Sequence, residues 1–314
     1  MALSGYDLDL LVRLKAAAAI VDRGTVMEIG AQQLANSFLR QPESTEQLRR
    51  LFGIAAPFQM PAAPQAHDSA SYEQLAADAP RSIEFWNWLG FDYSSIDIDG
   101  SSGAIPLDLN YDDAPPETRG KFDLVVNAGT TEHIANQLNA FKIIHDLTRV
   151  GGLMIHNLPS QGMPNHGLIN YNPKFFWMLG RSNGYRFVYF NFHPDIQPYP
   201  LPINIADESA KFTHYAAARP DYRLIDAAIV VVLCKRFDMP FVPPIDVNTG
   251  AHTTDDKLRD RYWTVFKPDA FAPMQNREWC GLGRLRRICR AMMPGLGIWR
   301  ASKLIAFYIR RFVR

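Results

Sequence analysis

The feature that most constrains this chain is an alternation of apolar strands with amphipathic helices through its middle. Phe122 to Ala128 reads as an apolar strand. Asn136 to Thr148 follows as an amphipathic helix, stopped by Gly151-Gly152, and Leu153 to Leu158 is a strand again. Pro173 to Leu179 starts a helix at a proline, ended by Gly184. Tyr185 to Phe192 alternates like a strand, and Ala227 to Cys234 is a β-branched strand. Upstream, Leu8 to Val21 reads as a helix and Thr25 to Gly30 as a short buried strand ending in a turn. Ser82 to Leu89 is a helix ended by Gly90, and Tyr93 to Ile98 is a second strand. Residues 31 to 80 read as irregular, with helical patches near Thr45 to Leu51 and Tyr72 to Ala77. Strands alternating with helices predict a mostly parallel α/β sheet covered on both faces. In such a sheet the ligand crevice lies at the C-terminal ends of the strands.

Composition agrees and removes other classes. Of 314 residues, 47% are hydrophobic and 21% charged, enough apolar surface to exclude bulk disorder. The three cysteines, Cys234, Cys280 and Cys289, have no CxxC spacing, which argues against a disulfide scaffold or a thiolate zinc site. The longest apolar run, Ala227 to Cys234, is eight residues, far below the roughly 18 a spanning helix needs. The first residues carry Asp7 and Asp9 and no basic leader, so no secretory signal is expected.

The predicted strand ends collect chemistry-bearing residues. Glu28 and Gly30 end the first strand. Asp97 ends the second, Asp108-Leu109-Asn110 follows an apolar step, and Asn127, Ala128 and Gly129 end the Phe122 strand. A carboxylate after the second strand suits a ribose, because two oxygens can accept from two hydroxyls. Each of these residues has a plain reading too, as a capping acid or a turn. Their order at successive strand ends is what gives them weight. There is no GxGxxG after the first strand and no P-loop, which argues against a nicotinamide or nucleotide-triphosphate enzyme.

On these residues the chain resembles the class I S-adenosylmethionine-dependent methyltransferases. Val26-Met27-Glu28-Ile29-Gly30-Ala31 looks like the first motif, Ser95-Ile96-Asp97-Ile98 the second and Leu107-Asp108-Leu109-Asn110 the third. Phe122-Asp123-Leu124-Val125-Val126-Asn127, running into Thr131-Glu132-His133-Ile134, looks like the fourth, and Gly151-Gly152-Leu153-Met154-Ile155 like the strand after it. The resemblance implies a Rossmann-like sheet, its last strand (Ala227 to Lys235) antiparallel, with S-adenosylmethionine as cofactor. It places Glu28 and Gly30 at the methionine end, with Gln32 of the turn beside them. Asp97 would hold the ribose, Asp108 and Leu109 would flank the adenine, and Asn127 to Gly129 would line the sulfonium side. Two departures stand out. The first turn, Gly30-Ala31-Gln32-Gln33, lacks further glycines. Glu28 and Asp97 lie 69 positions apart, where such groups are usually separated by about 20. Residues 34 to 80 therefore read as an insertion, expected to be a lid at the mouth of the site.

Methyl transfer requires an aligned acceptor and, for a hydroxyl, removal of its proton. His166 is the first candidate for that base or for a substrate contact, and His133 the second. The loop around His166 supplies Asn165, Asn170 and Tyr171 as expected substrate contacts. His156 is expected to pack within the sheet. Glu132, His133 and His166 would make a workable metal set, but nothing in their spacing demands one, and no metal is assigned.

The organisation expected is an N-terminal helix over 1–23, a methyltransferase domain over 24–237, and an extension over 238–314. From Gly281 to Arg314 there are eight Arg and one Lys and no Asp or Glu, so a +9 tail follows a body of −8. Ile298 to Arg314 reads as a basic amphipathic helix. It suits a membrane interface, docking on the body or a second subunit, or, without any recognition motif, nucleic acid. The expected function is methyl transfer to an oxygen or nitrogen of a small molecule or glycan. The expected location is cytoplasmic, peripheral at the inner membrane face. Another transferase using the same cofactor is not separable from this, and the glycine-poor turn gives a second reading, a non-catalytic binding protein that keeps the fold.

Overall fold

A computed structural model describes residues 2–61, 79–100, 103–163, 166–194, 227–246 and 256–262. The chain divides into a body, Met1–Pro273, and a second unit, Met274–Arg314; everything below concerns the body. The expected helices at 72–77 and 298–314, and Asn165, lie outside the described residues.

A seven-stranded sheet organises the body. In chain order its strands are β2 (Thr25–Ile29), β4 (Asp92–Asp97), β5 (Ile105–Pro106), β6 (Phe122–Ala128), β7 (Thr148–Gln161), β8 (Arg186–Pro194) and β9 (Ala227–Cys234). Their spatial order is β5-β4-β2-β6-β7-β9-β8, parallel except for β9, which runs antiparallel to both neighbours. This is the arrangement implied by the resemblance to class I methyltransferases, with one antiparallel strand beside the edge. A short parallel pair, β1 (Ala2–Leu3) with β3 (Gln33–Leu34), lies outside the main sheet.

Side-chain alternation along the strands assigns the two faces. Met27, Ile29, Val125, Met154 and Val231 face a layer containing Phe141 and Ile144 of α5 (Gln137–Leu147) and Phe176 and Leu179 of α6 (Pro173–Asn183). Val26, Leu124, Val126, Ile155 and Val232 face α1 (Gly5–Ala16), α2 (Asn36–Leu39), α3 (Pro42–Leu51) and α4 (Ser82–Trp88). Each such side chain contributes about 1.5–3 kcal/mol by leaving water.

Several boundaries differ from the sequence reading, each for a local reason. Helix α1 starts at Gly5 because Ser4 and Asp7 form a capping box: the Ser4 amide donates to Asp7 Oδ2 at 2.7 Å. It ends at Ala16, so Ala18 sits at φ 55° and Val21 is exposed. Helix α5 ends before Gly151-Gly152. Thr148 caps it through a 2.6 Å bond from its hydroxyl to the Ile144 carbonyl and starts β7 directly, so both glycines belong to the strand.

The insertion is a correction in its described part. Residues 34–51 are not a lid, because Leu34, Phe38 and Leu48 are buried against Leu8, Leu11, Leu14 and Phe85. They form part of the core layer. The boundary at 237 is also too early. Val242 exchanges two 2.8 Å bonds with the Asn183 side chain on α6, and the Met239 carbonyl lies 2.7 Å from His145 Nε2 on α5. Among the described residues, no helix is long and apolar enough to cross a membrane.

Candidate functional site

Strands β2 and β6 are neighbours, and the chain leaves them toward opposite edges of the sheet. Their C-terminal ends therefore open at a switch point, where such sheets bind ligands. Both ends turn on glycines in the left-handed region, Gly30 at φ 78° and Gly129 at φ 77°. With no Cβ, they leave the backbone approachable. Asp97 stands at the end of β4, half-buried. Its Oδ2 accepts from the Ala31 amide at 3.0 Å and its Oδ1 from the Ile98 amide at 2.8 Å. Each oxygen keeps acceptor capacity for a hydroxyl. The next residue, Ile98, is 68% exposed, an uncovered apolar side chain.

Other expected cofactor contacts are placed differently. Glu28 is a correction: it is fully buried and its oxygens serve the protein. Oε2 accepts from Ser82 Oγ at 2.6 Å, Tyr93 OH at 2.9 Å and the Gln32 amide at 3.0 Å, and Oε1 accepts from Trp86 Nε1 at 2.6 Å. Gln32 folds inward, its Nε2 donating to the carbonyls of Ile29 and Gly30 and to Thr130 Oγ1, while its Oε1 has no partner. The side chain thus braces the turn that further glycines would leave open.

Asn127 is a second correction. Its Nδ2 lies 2.9 Å from Thr131 Oγ1 and 3.2 Å from His156 Nδ1, so the side chain is bonded inside the core. His156, between Phe141 and Phe176, is held neutral because burial pushes its imidazole down to about 3. Leu109 is buried and belongs to the core layer. Asp108 serves its own turn, Oδ1 accepting from the Asn110 amide at 2.8 Å.

A second group of polar side chains is built on the 3-10 turn Thr131–His133 that follows β6. Glu132 is fully buried, and neither carboxylate oxygen accepts a hydrogen bond. His166 Nε2 approaches its Oε1 at 3.4 Å and His133 Nε2 at 4.0 Å; both imidazoles are about half exposed. Burial pushes the Glu132 carboxyl up, opposed by the neighbouring His166. Burial, then His166, pushes His133 down. The His166 loop is fastened here by backbone bonds from the Leu168 and Ile169 amides to the Glu132 carbonyl, at 2.8 and 3.1 Å. Gly167 permits the contact, because a Cβ there would stand 2.9 Å from Glu132 Cγ and 3.0 Å from its carbonyl oxygen. A Cβ at Gly129 would lie 3.4 Å from Glu132 Oε1, so the carboxylate sits beside the β6 turn.

The substrate contacts expected on this loop divide. Asn170 is exposed and donates to the Gly162 carbonyl at 3.0 Å. Tyr171 is a correction: it is buried, its hydroxyl donating to Gln137 Oε1 at 2.6 Å and lying 2.8 Å from Thr131 Oγ1. The sequence reading named Glu132 only as a partner of His133 and His166 in a workable metal set, and gave it no role as base or substrate contact. The signal for it was an acid in the Thr-Thr-Glu-His step just past a strand end.

No protein-family profile matches the chain, and no curated protein matches it in sequence. Solved structures do match in shape. One is a SAM-dependent methyltransferase from Archaeoglobus fulgidus, 11% identical over 73% of this chain and 94% of that one, at TM-score 0.39. A second is the 1,6-didemethyltoxoflavin-N1-methyltransferase of Burkholderia thailandensis, solved with 1,6-didemethyltoxoflavin and S-adenosylhomocysteine. It is 12% identical over 73% of this chain and 78% of that one, at TM-score 0.36. A third is phosphoethanolamine N-methyltransferase 2 of Haemonchus contortus with S-adenosyl-L-methionine, 11% identical over 74% and 53%, at TM-score 0.34. At these identities and scores no residue role carries over, and the fold rests on the strand order itself.

Proposed function

We propose that the chain moves a methyl group from S-adenosylmethionine to an oxygen or nitrogen of a small molecule or glycan. The observation that carries this is Asp97 at the end of β4, tied by the Ala31 amide to the glycine turn of β2 at the switch point. The donor and acceptor groups fit that cofactor. Asp97 offers acceptor oxygens to ribose hydroxyls, and Ile98 offers uncovered apolar surface to an aromatic base. When bound, the cofactor supplies an electrophilic methyl on sulfur. The chain's own task is to orient the acceptor and deal with its proton, which falls to Glu132, His133 and His166. The acceptor's proton would leave toward that cluster as the acceptor–carbon bond replaces the sulfur–carbon bond.

The test is calorimetric titration with S-adenosylmethionine and S-adenosylhomocysteine. Binding by the wild type that falls at least tenfold in Asp97→Ala is the expected result. No binding by folded wild type, or equal binding by the variant, would remove this reading. Tight binding with no turnover on any acceptor would favour the binding-protein reading, for which the Gln32-braced turn is the motivating feature. Membrane contact through residues 298–314, at the cytoplasmic face, remains part of the proposal on charge alone. Deletion of 281–314 should then abolish flotation with anionic vesicles.

A further inference from the structure

We propose that Glu132, His133 and His166 together bind a divalent transition-metal ion. One ligand atom from each lies within 4.8 Å of the others. Metal–ligand bonds of about 2.1 Å at a tetrahedral angle place ligand atoms roughly 3.4 Å apart. His166 Nε2 and Glu132 Oε1 already stand at 3.4 Å, and His133 Nε2, 4.0 Å from the same oxygen, must close by about 0.6 Å, a movement open to a half-exposed side chain.

The independent sign is the state of the carboxylate. Glu132 has no exposed surface, and neither oxygen has a hydrogen-bond partner. A buried carboxylate without donors is costly. The same chain shows the ordinary solution at Glu28, where four donors surround an equally buried carboxylate. At Glu132 the groups aimed at the oxygens are two imidazole nitrogens, and an ion shared among the three satisfies all of them. Gly167 and the bonds from Leu168 and Ile169 hold the His166 loop down on Glu132, so the set is built by two separate segments.

One carboxylate and two imidazoles suit manganese, iron, cobalt or zinc, and leave coordination positions open. The cluster lies beside the Gly129 turn, so a ligand in those positions would sit at the switch point. Resting on the methyl-transfer reading, the ion would take over the removal of the proton: it holds an acceptor hydroxyl and lowers its pKa so that the proton leaves to water, and both imidazoles serve as ligands rather than bases.

The experiment is titration of the metal-stripped full chain with Co²⁺, read by ligand-field absorption, beside His166→Ala and Glu132→Gln. Expected is one ion per chain with nitrogen-ligand bands, and affinity lowered at least tenfold in both variants. His166 is half exposed, so its variant should keep the wild-type melting curve and S-adenosylhomocysteine affinity. Absence of Co²⁺ bands in wild type, or unchanged affinity in both variants, would overturn the proposal. Wild type that binds S-adenosylhomocysteine but no ion would reject the metal and leave methyl transfer standing. An ion bound without S-adenosylhomocysteine would do the reverse.

Discussion

Two buried glutamates stand at the ends of two central strands, and they differ in everything except burial. Glu28, in β2, accepts from Ser82, Trp86, Tyr93 and the Gln32 amide. Glu132, just past β6, accepts from nothing. The first joins β2, β4 and α4 and is part of the fold. The second faces two half-exposed imidazoles, and the fold around it leaves its charge unsatisfied. A strand end is therefore not one kind of place: the same residue type is surrounded by donors at one end and left without them at the other.

The largest effect that should separate them is on stability. Glu28→Ala strands four donors and is expected to cost on the order of 3–5 kcal/mol in denaturant unfolding. A loss under about 1 kcal/mol would mean that Glu28 is not the structural member of the pair.

Next in size is a pH effect from a third buried group. His156 is neutral in the fold, its imidazole lowered from 6.5 to about 3 by burial. Its pKa is depressed on folding, so the unfolded state binds more protons between those values. The stability it contributes is present above 6.5 and falls by about 1.4 kcal/mol per unit as pH drops toward 3. Urea unfolding at several pH values checks this, and a flat profile for wild type across that window would contradict it.

The smallest expected change is the most informative. Glu132→Gln removes an unsatisfied buried charge, so the fold should be unchanged or more stable by about 1 kcal/mol. A loss like that of Glu28→Ala would erase the distinction between the two ends.

Much of the framework was legible in the sequence because its signals are local. Phe122–Ala128 and Ala227–Cys234 are apolar runs with clear ends, and they form strands of those same bounds. The order of strand-end residues was legible as well: Asp97 ends β4 and Gly30 follows β2, as read from the sequence. The α1 start was legible too, in Ser4-x-x-Asp7, but the apolar stripe drew the boundary to Leu8. The roles of Glu28 and Asn127 were not legible. Glu28's donors come from Ser82, Trp86 and Tyr93, 54 to 65 positions away, and Asn127 meets His156 from a neighbouring strand. An acid in an apolar strand looks alike whether it waits for a ligand or is surrounded by donors. The insertion misled for the same reason: Phe38 and Leu48 become core only when α1 folds over them.

The proposed separation between a cofactor half at β2 and β4 and an acceptor half past β6 can be measured directly. S-adenosylhomocysteine is titrated calorimetrically into wild type, Asp97→Ala and His166→Ala in parallel. Binding that survives in His166→Ala and falls at least tenfold in Asp97→Ala is the expected pattern. Binding lost in His166→Ala and kept in Asp97→Ala would contradict it and place the cofactor on the other side of the switch point.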